Sequence, residues 1–329
     1  MEGLTKFPKL YFYTKANLKI GFGHLIRQSI LAKFLKNEKL SSELLKNDVP
    51  KEFVIEKKLF KLSKLSLGDL ISKHKDGDKL IIIIDRYDLT VELQKKLLSK
   101  NIYFIVFDNV KYSRSKYIFS DIVININPYI KKIDYKKRCL NKKSTILTGL
   151  KYAIVREPHK NKVKKKYDFL VILGGGNNKE LIHKIIKFIE NNYKGKTIFV
   201  ISGFNQEILV IKNVRNNKFI IKKNIKNPSI LMNKSKALIC SGGTTLLESL
   251  HFNIKRYVVI VAGNQEQIVK YLLKKKFIIN FIKYARNKKK IDLTKLFLKK
   301  KQNQKKLNSN YFLGSRYIAN LIKKKFYEY

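Results

Sequence analysis

His24 lies directly behind a glycine turn in the run Ile20-Gly21-Phe22-Gly23-His24-Leu25-Ile26-Arg27. The run follows a strand-like apolar segment and opens a helix-like one. Gly21 and Gly23 let the backbone turn tightly and come close to a ligand. The helix start offers N–H groups without intrahelical partners and a partial positive charge. A histidine at that place suits proton transfer, and it equally suits a simple helix cap. The third glycine of a dinucleotide fingerprint is missing.

A second run, Ser241-Gly242-Gly243-Thr244-Thr245-Leu246-Leu247-Glu248, also joins a strand to a helix. Gly242, Gly243, Thr244 and Thr245 can build an anion-binding turn from N–H and hydroxyl donors. Glu248, about one helical turn on, could accept from ribose hydroxyls; the alternative is an ordinary loop with a solvent-facing acid. Leu173-Gly174-Gly175-Gly176-Asn177 occupies a similar place and reads as a phosphate-facing loop or a plain turn. Asn264 and Gln265 follow another strand, where their amides suit sugar hydroxyls or acetamido groups, or Asn264 an N-cap. Asp85-Arg86-Tyr87 closes the apolar run 81–84, and Asp108 closes 104–107. Either acid could be structural.

Such loops need elements to hold them. Apolar runs at 10–13, 80–84, 103–107 and 122–126, with helical patterns at 25–35 and 90–98, predict buried parallel strands with helical crossovers. The pattern restarts with strands at 169–173, 197–201, 219–221, 237–240 and 258–261. Helices are expected at 179–189, 229–232, 244–250 and 265–275. Two strand–helix series imply two α/β domains. Pro158 and the charge run 160–166 mark the boundary. The expected division is 1–155 and 156–310, with a closing helix in 311–329 packing back on the first domain.

The formal charge is +48, yet 63 of the 72 basic residues are lysine. Arginine, suited to bidentate phosphate and base contacts, is scarce. The even spread of lysine reads as a solvated surface, so no specific nucleic-acid partner is expected, while weak association with anionic surfaces is. Cys139 and Cys240 match no metal or redox spacing, no pair of histidines has local metal-site spacing, and no metal or cofactor is expected. The longest apolar run falls far short of the roughly 20 residues of a membrane helix. A cytoplasmic monomer is the expectation.

Taken together, these elements resemble the UDP-2,4-diacetamido-2,4,6-trideoxy-β-L-altropyranose hydrolases of pseudaminic acid synthesis, relatives of the glycosyltransferase-B fold enzymes. The resemblance spans residues 20–27, 84–87, 107–108, 121–127, 149–157, 168–175, 237–248 and 264–265, with a late Gly314-Ser315-Arg316. It implies an α/β fold of two Rossmann-like domains facing across a cleft. It also implies a metal-independent, inverting attack of water at the anomeric carbon. By resemblance His24 is the general base and Tyr87 positions it or the sugar. Gly21, Gly23, Arg27, Gly174 and Gly175 join the binding residues. Gly242, Gly243, Thr244 and Thr245 hold the diphosphate, Glu248 the ribose, and Asn264 with Gln265 the sugar.

Three stretches depart from the family. Where it usually has Arg-x-Asp-x-Ser, this chain has Tyr13-Thr14-Lys15-Ala16-Asn17. Arg86 stands where a histidine is common, and Gly176-Asn177-Asn178 replaces a more usual Thr-Asp. Three other functions stay open: a glycosyltransferase using the same UDP-sugar donor, a UDP-sugar-binding protein without activity, and a nucleic-acid binder.

Overall fold

The computed structural model describes residues 9–17, 21–46, 49–50, 60–75, 78–158, 163–174, 178–203, 215–223, 225, 227–284, 291–298, 304–305, 307 and 314–328. Gly175, Gly176, Asn177 and Ile20 lie outside them. The chain divides into two compact units. The first holds 1–17, 24–155 and 310–329, and the second 18–23 and 156–309.

The first unit is built on a seven-stranded sheet in the order β3-β2-β1-β4-β5-β6-β7. Its strands are β1 (Lys9–Thr14), β2 (Ser42–Leu44), β3 (Lys61–Leu62), β4 (Leu80–Asp85), β5 (Tyr103–Phe107), β6 (Ile122–Asn125) and β7 (Thr145–Thr148). Every pairing is parallel. All six residues of β4 are buried, as expected of a central strand covered on both faces. Burying each of Ile81 to Ile84 contributes about 1.5–3 kcal/mol. Among the described residues three helices serve as crossovers: α1 (Gly23–Asn37), α2 (Leu67–Lys73) and α3 (Val91–Ser99). Ser66 and Asp69 form a capping box at the start of α2, satisfying two N–H groups there.

The second unit carries a six-stranded parallel sheet in the order β10-β9-β8-β11-β12-β13. These strands are β8 (Tyr167–Ile172), β9 (Thr197–Ser202), β10 (Lys218–Lys223), β11 (Ser235–Ser241), β12 (Lys255–Ile260) and β13 (Asn280–Lys283). The helices are α4 (Lys179–Asn192), α5 (Ser229–Asn233), α6 (Thr244–Ser249), α7 (Glu266–Lys274) and α8 (Thr294–Phe297). The chain closes with α9 (Gly314–Glu328) in the first unit.

Every strand and helix expected from pattern is present within a few residues. The elements that pattern passed over are β2, β3, β7, β13, α2 and α8. They are short, and β2, β7 and β13 carry Ser, Glu, Thr, Asn or Lys among few apolar residues. A short polar strand lacks an apolar run long enough to recognise, and only its pairing defines it. Lysine also marks the outer strand β10, where Lys222 and Lys223 are exposed, a common guard against edge-to-edge pairing.

Two lysine-rich or polar segments turn out to hold the fold together. Lys165, inside the expected linker, donates to the carbonyls of Asn233, Ser235 and Asn253 at 2.9, 2.8 and 2.9 Å. Gly314 meets the 152–153 backbone so closely that a Cβ would lie 2.5 Å from the Ala153 carbonyl oxygen. Beside it, Ser315 Oγ donates to Val155 O at 2.9 Å and accepts from Val155 N at 3.1 Å. Lys323 of the same helix reaches Glu38 at 2.7 Å.

Candidate active site

In each sheet the chain leaves the middle in opposite directions from two adjacent strands, β1 and β4 in the first and β8 and β11 in the second. Such reversal points leave a crevice at the carboxyl ends of the strands, where open α/β sheets bind ligands. The loops singled out from sequence lie there. Gly21 to His24 follow β1, and Asp85 to Tyr87 follow β4. Gly174 follows β8, and Gly242 to Thr245 follow β11, which ends on Ser241.

In the first unit, β1 and β4 pair so that Thr14 faces Asp85. Thr14 Oγ1 donates to the Asp85 carbonyl at 3.1 Å. The Asp85 side chain is fully buried and gathers four bonds. His24 Nδ1 lies 2.6 Å from Oδ1. Arg27 reaches Oδ1 through Nη2 at 2.5 Å and Oδ2 through Nε at 2.9 Å. Gln28 Nε2 donates to Oδ2 at 2.6 Å. Residues 24, 27 and 28 share one face of α1, because helical neighbours recur three and four residues apart. Burial works against the Asp85 charge, but Arg27 and then His24 outweigh it, and the carboxyl titrates below its usual range. For Arg27, burial is likewise outweighed by Asp85, and its value rises.

This network sets the imidazole's chemistry. A carboxylate can only accept, so Nδ1 is the nitrogen that points its N–H at Asp85, and Nε2 is the basic atom of the neutral ring. An imidazole oriented by a buried carboxylate is the arrangement of a general base. His24 does not turn back to cap α1. Its ring instead packs nearly perpendicular to that of Tyr87, with centroids 4.7 Å apart and planes at 83°. Gly21 has φ +87 with open space around it, a backbone state that favours glycine. Gly23 is exposed.

Asp88, which sequence reasoning passed over, answers two of the departures noted above. Lys15 Nζ lies 2.9 Å from Asp88 Oδ2, and Arg86 grips both oxygens at 2.8 and 2.9 Å. The Arg86 guanidinium also stacks 4.3 Å from the Tyr13 ring centroid. Tyr13 and Lys15 stand where an Arg and an Asp are usual. Here a guanidinium and a carboxylate come instead from the loop after β4.

In the second unit, Gly174 turns with φ +81, and a Cβ on it would come 3.6 Å from Ser241 Oγ. Gly243, Thr244 and Thr245 are partly exposed, while Gly242 is buried. A Cβ on Gly242 would stand 2.6 Å from Val269 Cγ2, whereas one on Gly243 meets nothing closer than 3.9 Å. Gly242 is therefore needed for packing against α7, and Gly243 has room for a methyl in ordinary contact. Gln265 Oε1 accepts from Gly242 N and Val261 N, both at 3.1 Å. That carbonyl clamps the ends of β11 and β12, so of the Gln265 amide only the NH2 group, which lies toward Gly243, is placed to meet a ligand. Asn264 sits beside it in a 3-10 turn and makes no helix cap. Glu248 is 4% exposed, and Arg156 Nη1 donates to its Oε1 at 2.6 Å. Burial raises the Glu248 carboxyl despite Arg156. Arg156, 92 residues away in sequence, carried no local signal. Asp108 proves structural, accepting from Tyr135 Oη at 2.7 Å and Arg138 Nη1 at 2.8 Å.

With that geometry in hand, comparison with known proteins is informative. No protein-family model matches the chain. It is 28% identical over 281 residues to the UDP-2,4-diacetamido-2,4,6-trideoxy-β-L-altropyranose hydrolase of Campylobacter jejuni, covering 83% of this chain and 99% of that one. Among solved structures, MurG of Acinetobacter baumannii is similar with TM-score 0.59 at 12% identity, covering 96% of this chain and all 100% of that one. LpCGTa in complex with UDP gives TM-score 0.56 at 9% identity, over 95% and 94% of the two chains. UDP-GlcNAc 2-epimerase of Methanocaldococcus jannaschii gives 0.51 at 14%, over 96% and 99%. These likenesses show the glycosyltransferase-B fold. No helix among the described residues is long and apolar enough to cross a membrane.

Proposed function

We propose that this protein hydrolyses a UDP-sugar, and that its substrate is a diacetamido-trideoxy hexose on UDP, of the kind used to make pseudaminic-type acids. The observation that carries the reading is the buried Asp85 carboxylate holding His24 Nδ1 at 2.6 Å. The likeness to the Campylobacter hydrolase supports the choice of substrate.

In this mechanism His24 Nε2 takes a proton from water as the water oxygen bonds to the anomeric carbon. The bond from that carbon to the diphosphate oxygen breaks, and its electron pair leaves with UDP. Single displacement inverts the anomeric configuration. Asp85 stays ionised and stabilises the imidazolium, as a triad carboxylate does. Tyr87, nearly perpendicular to the ring, holds it in place. The Gly243 turn with Thr244 and Thr245 would receive the diphosphate through N–H and hydroxyl donors. Gly174 would line the same loop cluster, Glu248 would accept from the ribose, and Asn264 with the Gln265 NH2 group would meet the sugar. Charge on the leaving group is met by these donors, so the proposed reaction uses no metal.

The test is free UDP measured after incubating purified protein with a panel of UDP-sugars, chelator present and no acceptor. Release abolished by His24→Ala is the expected result. Release only after adding a carbohydrate or lipid acceptor would make the protein a transferase. Binding without turnover would make it a UDP-sugar-binding protein.

A further inference from the structure

A set of phenols beside His24 has no part in the proton transfer. Tyr87 and Tyr112 have ring centroids 6.3 Å apart with planes inclined at 34°, and the His24 ring lies nearly perpendicular to that of Tyr87. Tyr129 faces both. Burial, then the neighbouring phenols of Tyr112 and Tyr87, push its own phenol up to about 12. All three rings are partly exposed, and all rise from loops at the carboxyl ends of β4, β5 and β6.

These loops are held from behind. Asp108, at the end of β5, accepts from Ser113 Oγ, next to Tyr112, and from Tyr135 Oη at 2.7 Å. Tyr135 is fully buried, and its oxygen accepts from Asn125 Nδ2 at 2.7 Å. Asn125 Oδ1 in turn accepts from the N and Nδ2 of Asn127 at 3.0 and 2.8 Å, two residues before Tyr129. Arg114 N donates to Tyr87 O at 2.6 Å and ties the third loop in. One buried polar network thus fixes the two loops that present Tyr112 and Tyr129. A fully satisfied buried network rigidifies what it holds, and rigid placement is what a binding surface needs.

We infer that Tyr112 and Tyr129 extend Tyr87 into a phenol wall that packs on the sugar of the UDP-sugar, selecting a deoxygenated pyranose over a more hydroxylated one. The inference rests on the UDP-sugar reading. The chemistry is that of the ring. A tyrosine offers an apolar face to C–H bonds and methyl groups and a hydroxyl at its rim. Sugar sites combine such surfaces with a few placed polar groups. A methyl in place of a hydroxymethyl gains on this wall, whereas a hydroxyl pressed against a ring face loses its water partners without replacement.

The experiment compares wild type with Tyr112→Ala, Tyr129→Ala, the double variant and the two Phe variants. Initial rates are taken with UDP-2,4-diacetamido-2,4,6-trideoxy-altropyranose and with UDP-GlcNAc, and the Kd of UDP alone is measured alongside. The Ala variants should raise KM for the trideoxy substrate by about tenfold or more, with kcat less affected. They should narrow the preference over UDP-GlcNAc and leave the UDP Kd unchanged, and the Phe variants should keep most of the preference. KM and preference within twofold of wild type in the double variant would overturn the wall while leaving the hydrolase intact. An equal rise in the UDP Kd would overturn it as well, since the loss would then not be in sugar contact. A wild type that neither binds UDP nor turns over either sugar removes the functional reading, and the wall with it.

Discussion

His24 Nδ1 and Asp85 Oδ1 stand 2.6 Å apart, although 61 residues separate them in sequence. The contact exists because β1 and β4 are neighbours in register, with Thr14 opposite Asp85, and because α1 turns its first buried face toward the end of β4. With Nδ1 turned to the carboxylate, Nε2 is the basic atom of the neutral ring. Asp85→Asn tests this directly. An amide in that place can offer N–H to Nδ1 and stabilise the wrong tautomer. The rate of UDP release should fall by at least about a hundredfold, in line with other oriented general bases, while the Kd for UDP stays within twofold. Unchanged turnover would remove Asp85 from the mechanism.

Arg27 neutralises a carboxylate that has no access to water. Arg27→Met leaves that charge buried beside His24 and Gln28 alone, and the loss of stability should be about 3–5 kcal/mol, read by urea unfolding. Acid should act on the same pair. The Asp85 carboxyl binds its proton less tightly in the folded state than in the unfolded chain, so acid favours unfolding. The contribution is present above about pH 4 and declines as pH falls below that toward the depressed native value. Thermal midpoints from pH 7 down to pH 3 should therefore drop more steeply in wild type than in Asp85→Asn.

Asp88 holds Lys15 and Arg86 at the rim of the same unit. Its side chain is 37% exposed, so solvent screens the pairs, and Asp88→Asn should cost no more than about 1 kcal/mol of stability. The functional cost should be larger, because Arg86 adjoins Tyr87 and the ring that meets His24. We expect kcat/KM to fall by about tenfold, a loss of the size that misplacement near a reacting centre brings. A variant with wild-type kinetics would show that the clasp merely neutralises charge.

Glu248 is a carboxylate kept where burial raises it above its usual range even with Arg156 alongside. Its native state binds a proton more tightly than the unfolded chain, so its ionisation works against folding as pH rises past the carboxylate range. Glu248→Gln should unfold no earlier than wild type at pH 7 and should bind UDP at least about tenfold more weakly, since a charged acceptor has become a neutral one. A large drop in the melting point, with UDP affinity kept, would make Glu248 a purely structural partner of Arg156.

The two adjacent glycines at the head of α6 separate packing from ligand contact. Gly242→Ala pushes a methyl to 2.6 Å from Val269 Cγ2 and should cost about 1–3 kcal/mol, as overpacking does. Gly243→Ala meets only ordinary contacts, at 3.9 Å or more, with φ −97 that any residue accepts. It should keep the melting point and weaken UDP binding. The reverse outcome would move the ligand away from this turn.

The order of strands and helices, and the glycine turns at their joints, could be read from the chain unaided. The apolar runs 80–84 and 169–173 and the turns at Gly21, Gly174 and Gly242 are set by periodicity and backbone freedom within a few residues. So is the placing of His24 and Thr244 at helix starts. What tertiary structure alone decided is which side chains meet: Asp85 with His24, Asp88 with Lys15 and Arg86, Arg156 with Glu248, and Tyr87 with Tyr112. It also moved Gln265 Oε1 from the sugar to the backbone and made Lys165 an anchor within an expected linker. These pairings follow from strand register and from crossovers dozens of residues long. A carboxylate's partner depends on which strand lies beside it, and no local pattern carries that information.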